Sequence, residues 1–246
     1  MCCFSKEAQV ANTNIFARPS KGDGQFIVYS MTLKAKEELA MILPIPTPKA
    51  SKEDAVTFIN LEKYPNFFEE MFDGFPRPRS AKKDDSNIPP PKALAEPKLK
   101  VVEVGSFVAS FVPAIKDFAR LDEQFKLPEG TWDKLPQYKE YGFAVFKLKK
   151  GEQKVHPMAF EFPRADKSKL FFPTVHIHDG KVHANAHFDH SLYCQGVDTG
   201  MRWDESPQPA ELFMKKLDQA SGIVSGKDHV YLSRMLGNYK NADIWI

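Results

Sequence analysis

The sequence predicts an α+β fold, mostly antiparallel sheet built from hairpins with a few packed helices. Three observations carry that expectation. Phenylalanine supplies 20 of 246 residues, and aromatic residues reach 12% of the chain, a composition that favours strands. Short alternating runs of apolar and polar residues recur between clusters of Gly, Pro, Asn and Asp. Only a few stretches switch to a helical period.

Taken in order, "NTNIFARPSKGDGQFIVYSM" reads as two strands around a Pro/Ser/Gly/Asp turn, and "ELAMILPIPTP" as a third strand stopped by prolines. Phe67, Phe68, Met71 and Phe72 then cluster at helical spacing, with Gly74 and Pro76 as the stop. Residues 76–98, rich in proline and charge, read as an exposed linker or long loop. It divides a single 1–246 domain into an N-terminal β segment (1–75) and a main segment (99–246).

"KVVEVGSFVASFVP" reads as a strand. "AIKDFARLDEQF" follows as an amphipathic helix with Ile115, Phe118, Leu121 and Phe125 on one face. "LPEGTWDKLPQY" is a short helical turn. "YGFAVFKLKKGEQKVHPMAFEFP" reads as a hairpin around Lys150, Gly151 and Glu152. "PAELFMKKLDQASGI" reads as a helix, and "HVYLSRML" and "ADIWI" as closing strands.

Hydrophobic content of 42%, charged content of 27% and a net charge of +2 are those of an ordinary globular chain, not of a dedicated nucleic-acid binder. No apolar run approaches the ~18 residues of a membrane span, and MCCFSKEAQV lacks the pattern of a secretory signal, so the expectation is cytoplasmic. Three cysteines, Cys2, Cys3 and Cys194, are too few for a disulfide framework and suit reduced thiols.

"TVHIHDGKVHANAHFDH" holds five of the seven histidines. Asp179-Gly180 between alternating runs is a strong hairpin signal, because a type I′ turn needs positive φ at both central positions. With that turn, His176 faces His183, and His178 and His187 share their side of the ribbon, while Val175, Ile177, Val182, Ala184, Ala186 and Phe188 form the core side. Four imidazoles on one face could converge on a divalent transition metal such as zinc, iron or copper, with Asp189 as a supporting partner or a base. Against this stands the plainer reading of polar residues on a solvent-facing ribbon. His190 falls on the other side and packs or begins a bend; His156 and His229 read as structural.

Cys2 offers a second chemistry. A mature chain beginning at Cys2 would place an α-amine beside a thiol, as nucleophile and base or as a metal chelate. Packing as a small apolar residue or S-acylation are the plainer alternatives. Cys194 reads as buried.

The order of "CCFS", "QFIVYSMTLKAKEELAMILPIP", "VGSFVASFV", "YKEYGFAVFKL", "HPMAFEFP" and "LFFPT" resembles an uncharacterised bacterial domain-of-unknown-function family whose mature chains begin Cys-Gly-Gly-Phe-Phe. The resemblance covers roughly residues 2 to 46 and 101 to 174, with Cys2, Cys3 and Phe4 at that start and Leu43, Pro44, Ile45 and Pro46 at the family's Leu-Pro-x-Pro strand end. This chain departs from it in lacking an export signal and in carrying the histidine stretch. The resemblance implies that a cysteine at the mature start belongs to the group; it implies no activity.

Three functions follow as expectations. The first is a metal-binding protein, a metal-dependent hydrolase or oxidoreductase using His176, His178, His183 and His187. The second is a metal-free amidohydrolase using Cys2. The third is a non-enzymatic binding or scaffolding domain that takes a peptide or small-molecule ligand, with the polar ribbon face and the 76–98 segment as contact surfaces.

Overall fold

The computed structural model describes residues 2–76, 101–104, 107–121, 126–127, 130–154, 156–179 and 181–246, so most of the expected linker lies outside the described residues. The N-terminal strands are β1 (Cys2–Phe4), β2 (Ala8–Pro19), β3 (Gly24–Ala35), β4 (Leu39–Ile45) and β5 (Thr57–Asn60), followed by the helix α1 (Phe67–Asp73). Then come β6 (Val101–Val104), β7 (Phe107–Val112), β8 (Gly142–Leu148), β9 (Gly151–Lys154), β10 (Met158–Pro163) and β11 (Phe171–Phe172). The chain closes with β12 (His176–Ile177), β13 (Asn185–Cys194), β14 (Asp204–Glu205), β15 (Tyr231–Lys240) and β16 (Ile244–Trp245).

The expected α+β class gives way to a mostly β fold with mixed sheets. One sheet runs β12-β1-β4-β8-β7-β6, and a larger one runs β14-β15-β13-β2-β3-β10-β5, with β9 also pairing β3. Two of the pairings are parallel, β1 with β12 and β13 with β2. Among the described residues α1 is the one α-helix. The helix expected around Ile115 is a 3-10 run, Ile115–Arg120, ended by an extended Leu121. The helix expected from Pro209 breaks into two 3-10 turns. Tertiary partners interrupt it: the amide of Lys215 donates to the Glu70 carboxylate, and the amide of Glu211 to the carbonyl of Gly226.

The alternation of side chains explains how two sheets fill four layers. Ile15, Ile27, Tyr29, Phe160 and Leu192 meet Met41, Leu43 and Phe146 in the core between the sheets. Their strand neighbours point the other way: Phe16, Val28, Ala159 and Tyr193 pack under α1 and the 210–230 region. Ile42, Phe143 and Val145 pack under Phe118, Leu135 and Tyr138. With both faces covered, β4 is buried at every residue. The helix α1 sits close because Gly74 has no side chain; a Cβ there would lie 2.6 Å from the Phe213 ring.

Other expectations divide in the same way. β2 and β3 form the antiparallel pair that the first turn signalled, with Gly22 at φ 71. The run expected as one strand before Ile115 is two, β6 and β7, paired antiparallel. The stretch read as a hairpin around Gly151 is not one: β8 joins the six-stranded sheet, whereas β9 and β10 both pair with β3. Buried side-chain amides complete the strand edges. Gln25 donates to the carbonyl of Phe171 (2.7 Å) and accepts from its amide (3.0 Å).

Candidate functional site

The histidine-rich stretch does not fold as a hairpin. Residues His176 and Ile177 pair in parallel with Cys2 and Cys3, and β13 pairs along its length with β15 and, from His190 onward, with β2. The ten-residue ladder to β15 and the parallel ladder to β2 together outweigh the short pairing that the turn would have nucleated. Asp179 instead makes a local turn, its Oδ1 accepting from the Lys181 amide and its Oδ2 lying 2.9 Å from His183 Nε2. Gly180 itself lies outside the described residues.

The four histidines expected on one face are therefore divided. His176 and His178 stay together, with Nδ1 of the first 3.2 Å from Nε2 of the second. His183 is exposed beside Asp179, and His187 is exposed on β13 opposite Asn238. In their place His190, only 2% exposed, joins the cluster: its ring centroid is 4.7 Å from that of His176. Sequence parity already put His190 with the core-facing Phe188; what it could not show was which rings would meet it.

The cluster packs as aromatic matter. Phe188 lies 4.5 Å from His176, edge to face, and Phe4 lies 5.4 Å from His178. Burial holds all three imidazoles neutral. It lowers His178 to about 4 and His190 to about 3. It lowers His176 to about 2, with repulsion from His190 and His178 adding to the effect. His176 Nε2 and His190 Nδ1 are buried with no hydrogen-bond partner among the described residues.

The backbone around His176 is held by side chains of the C-terminal segment. Asn241 Oδ1 accepts from the His176 amide (2.7 Å), and its Nδ2 donates to the carbonyls of His176 and His183 (2.9 and 3.0 Å). Asp243 accepts from the amides of Thr174 and Val175 at Oδ1 and from the Tyr138 hydroxyl at Oδ2. Sequence reading missed both residues, since nothing local marks "NADIWI" as a clamp on a strand 65 residues upstream.

These contacts correct the expected cofactor. Among the described residues no group of three or more His, Cys, Asp or Glu side chains is arranged to hold a metal ion, so the zinc, iron or copper centre is overturned. The physical reason is the lost register: without the ribbon, His183 is exposed beside Asp179, His187 is exposed on β13, and His178 turns a nitrogen on His176. Asp189, expected as a supporting carboxylate or base, accepts from the amide of Asn12 at 2.8 Å. Asn12 sits at φ 53 in the bulge of β2, a left-handed position that asparagine tolerates, and Asp189 secures it.

The backbone of Cys2 lies beside His176, while its side chain falls outside what the structure describes. Cys3 and Cys194 are buried, and burial pushes the Cys194 thiol well above its ordinary range. No described helix is long and apolar enough to cross a membrane.

No family model and no curated protein matches the chain. Solved structures do. The crystal structure of baculovirus P35 superposes with a TM-score of 0.52 at 14% identity, covering 99% of this chain and 98% of that one. A mutated baculovirus P35 after caspase cleavage gives 0.51 at 14% identity, covering 96% and 99%. P35 in its complex with caspase-8 gives 0.50 at 13% identity, covering 96% and 95%. Over essentially its whole length, the chain has the fold of baculovirus P35.

Proposed function

We propose that this chain is a non-enzymatic protein-binding module that engages a protease of the caspase type. The observation that carries the reading is the end-to-end fold likeness to P35, a protein whose structures include a caspase-8 complex and a caspase-cleaved form. Fold alone does not fix function, so the chemistry of this chain must agree with it. It does in two respects. His176, His178 and His190 are spent on packing and the Cys194 thiol is buried. The proline- and charge-rich 76–98 segment has the composition of an exposed contact surface, the role that a binding domain would give it.

The test is complex formation. The purified chain, mixed with caspase-8, is run by gel filtration beside a variant whose residues 77–98 are replaced by a Gly/Ser linker of equal length. The proposal expects co-elution with the native chain and none with the variant. Separate elution of the native chain and the protease contradicts it.

A further inference from the structure

β12 forms the edge of its sheet and is lightly held. Its pairing with β1 spans Cys2–His176 and Cys3–Ile177, and side chains of the C-terminal segment hold the backbone around it. β13, on the other side of the imidazole cluster, is fixed along its whole length by β15 and over its second half by β2.

Three imidazoles meet in the seam between the two. The His176 ring lies 4.8 Å from that of His178 and 4.7 Å from that of His190, with Phe188 and Phe4 against them. Among the described residues His176 Nε2 and His190 Nδ1 have no partner that could share a proton's charge.

The surroundings oppose a proton there. His178, His190 and, from β13, His187 repel one on His176, and the amino terminus repels one on any of the three. Phe4 on β1 and Thr13, opposite His190 on β2, carry no charge. The nearby carboxylates are engaged with other groups. Asp179 meets His183 and the Lys181 amide, Asp189 the Asn12 amide, and Asp243 the amides of Thr174 and Val175 and the Tyr138 hydroxyl. Two contacts favour a charge: Asp179 acting on His178, and the Asp189 backbone acting on His190.

We propose that mild acid opens this seam: protonation of the three histidines lifts β12 off β1, while β13 stays in the core. Lifting β12 carries His176 and His178 into water and uncovers His190, so each ring recovers the ordinary affinity for protons near pH 6.5. A ring that is neutral when closed and free to ionise when open raises the opening constant about tenfold per pH unit below that value. Three such rings raise it up to about a thousandfold per unit. The onset therefore depends on how firmly the closed strand is held, not on where the rings titrate inside the fold. Burial of Val175 and Ile177 and the bonds from Asn241 and Asp243 keep it shut at neutral pH. β1 stays behind as the new edge, because Cys3 and Phe4 pair with Ile42 and Met41 and the Ser5 amide donates to the Ala40 carbonyl. The device does not depend on caspase binding.

Hydrogen exchange on the full chain at about pH 7, 6 and 5 tests it, with each rate corrected for the intrinsic pH dependence of amide exchange. Between the last two, protection of the Thr174, Val175 and His176 amides should fall by between about tenfold and about a thousandfold. It should be lost before that of Leu192 and Tyr193 on β13. His178→Asn removes one ionising ring and should lessen the fall by about tenfold; His176→Asn serves the same purpose should that variant not fold. His183→Asn, which removes an exposed ring, should leave the fall as it is. Protection at 174–176 that does not vary with pH, or that is lost no sooner than at 192–193, overturns the proposal. So does a fall as steep in the folded His178→Asn or His176→Asn chain as in the native one, or one that His183→Asn lessens equally.

Discussion

β12 and β13 hold their places by different means. β12 is two residues long, and Asn241 and Asp243 fix its surroundings through side-chain hydrogen bonds. β13 is ten residues long, pairs through its main chain with β15 and β2, and buries Phe188, His190, Leu192 and Cys194. A short strand of the first kind leans on a few polar atoms beside its pairing with β1. A strand of the second kind belongs to the cooperative core and is lost only with the rest. The buried imidazoles sit where the two meet.

The largest expected effect lies on the core side of that boundary. Phe188 is fully buried against His176, His190 and Tyr239. Phe188→Ala should cost about 3–5 kcal/mol in urea unfolding, with every probe shifting together. A loss confined to one region would show that β13 is not part of the cooperative core.

Asp243→Ala should do less, and locally. It strands the buried amides of Thr174 and Val175 and the Tyr138 hydroxyl, a cost of about 1–3 kcal/mol. Hydrogen exchange should quicken at 174–177 while β13 keeps its protection. Equal loss in both strands would erase the distinction.

The most gradual effect is that of pH. The folded-state values of His176, His178 and His190 lie below the ordinary 6.5, so the unfolded chain binds more protons between them. Stability is therefore full above about pH 6.5 and falls as the pH drops towards about 4, where His178 titrates, and below. The slope is on the order of 1 kcal/mol per pH unit for each group. His178→Asn should flatten it in urea titrations at stepped pH. An unchanged slope would mean that His178 is not held neutral by burial.

How much of this was legible depends on distance along the chain. The β2–β3 pair was readable because Ser-Lys-Gly-Asp-Gly is turn chemistry on the spot. The core-facing parity of Phe188 and His190 was readable because alternation is a property of the strand itself. The neighbours were not. Parallel pairing of β1 with β12 joins residues more than 170 positions apart, and nothing in "VHIHDG" says that a strand from the other end of the chain will take the place its turn offers. The metal expectation failed at that step: Phe188 and His190 are buried as their parity implied, but Val182 and Ala184, expected on the core side, are exposed, and the partner strand was wrong. The helix expected from Pro209 failed for a related reason, since the Lys215 amide found a carboxylate on α1 and not a carbonyl four residues back.

The central claim, that a P35 fold here serves to bind a caspase-type protease, is tested most directly by titrating a fixed amount of active caspase-8 with the purified chain and following peptide hydrolysis. The expected result is a progressive loss of activity that reaches completion near molar equivalence. Full activity at a large excess of the chain would contradict it.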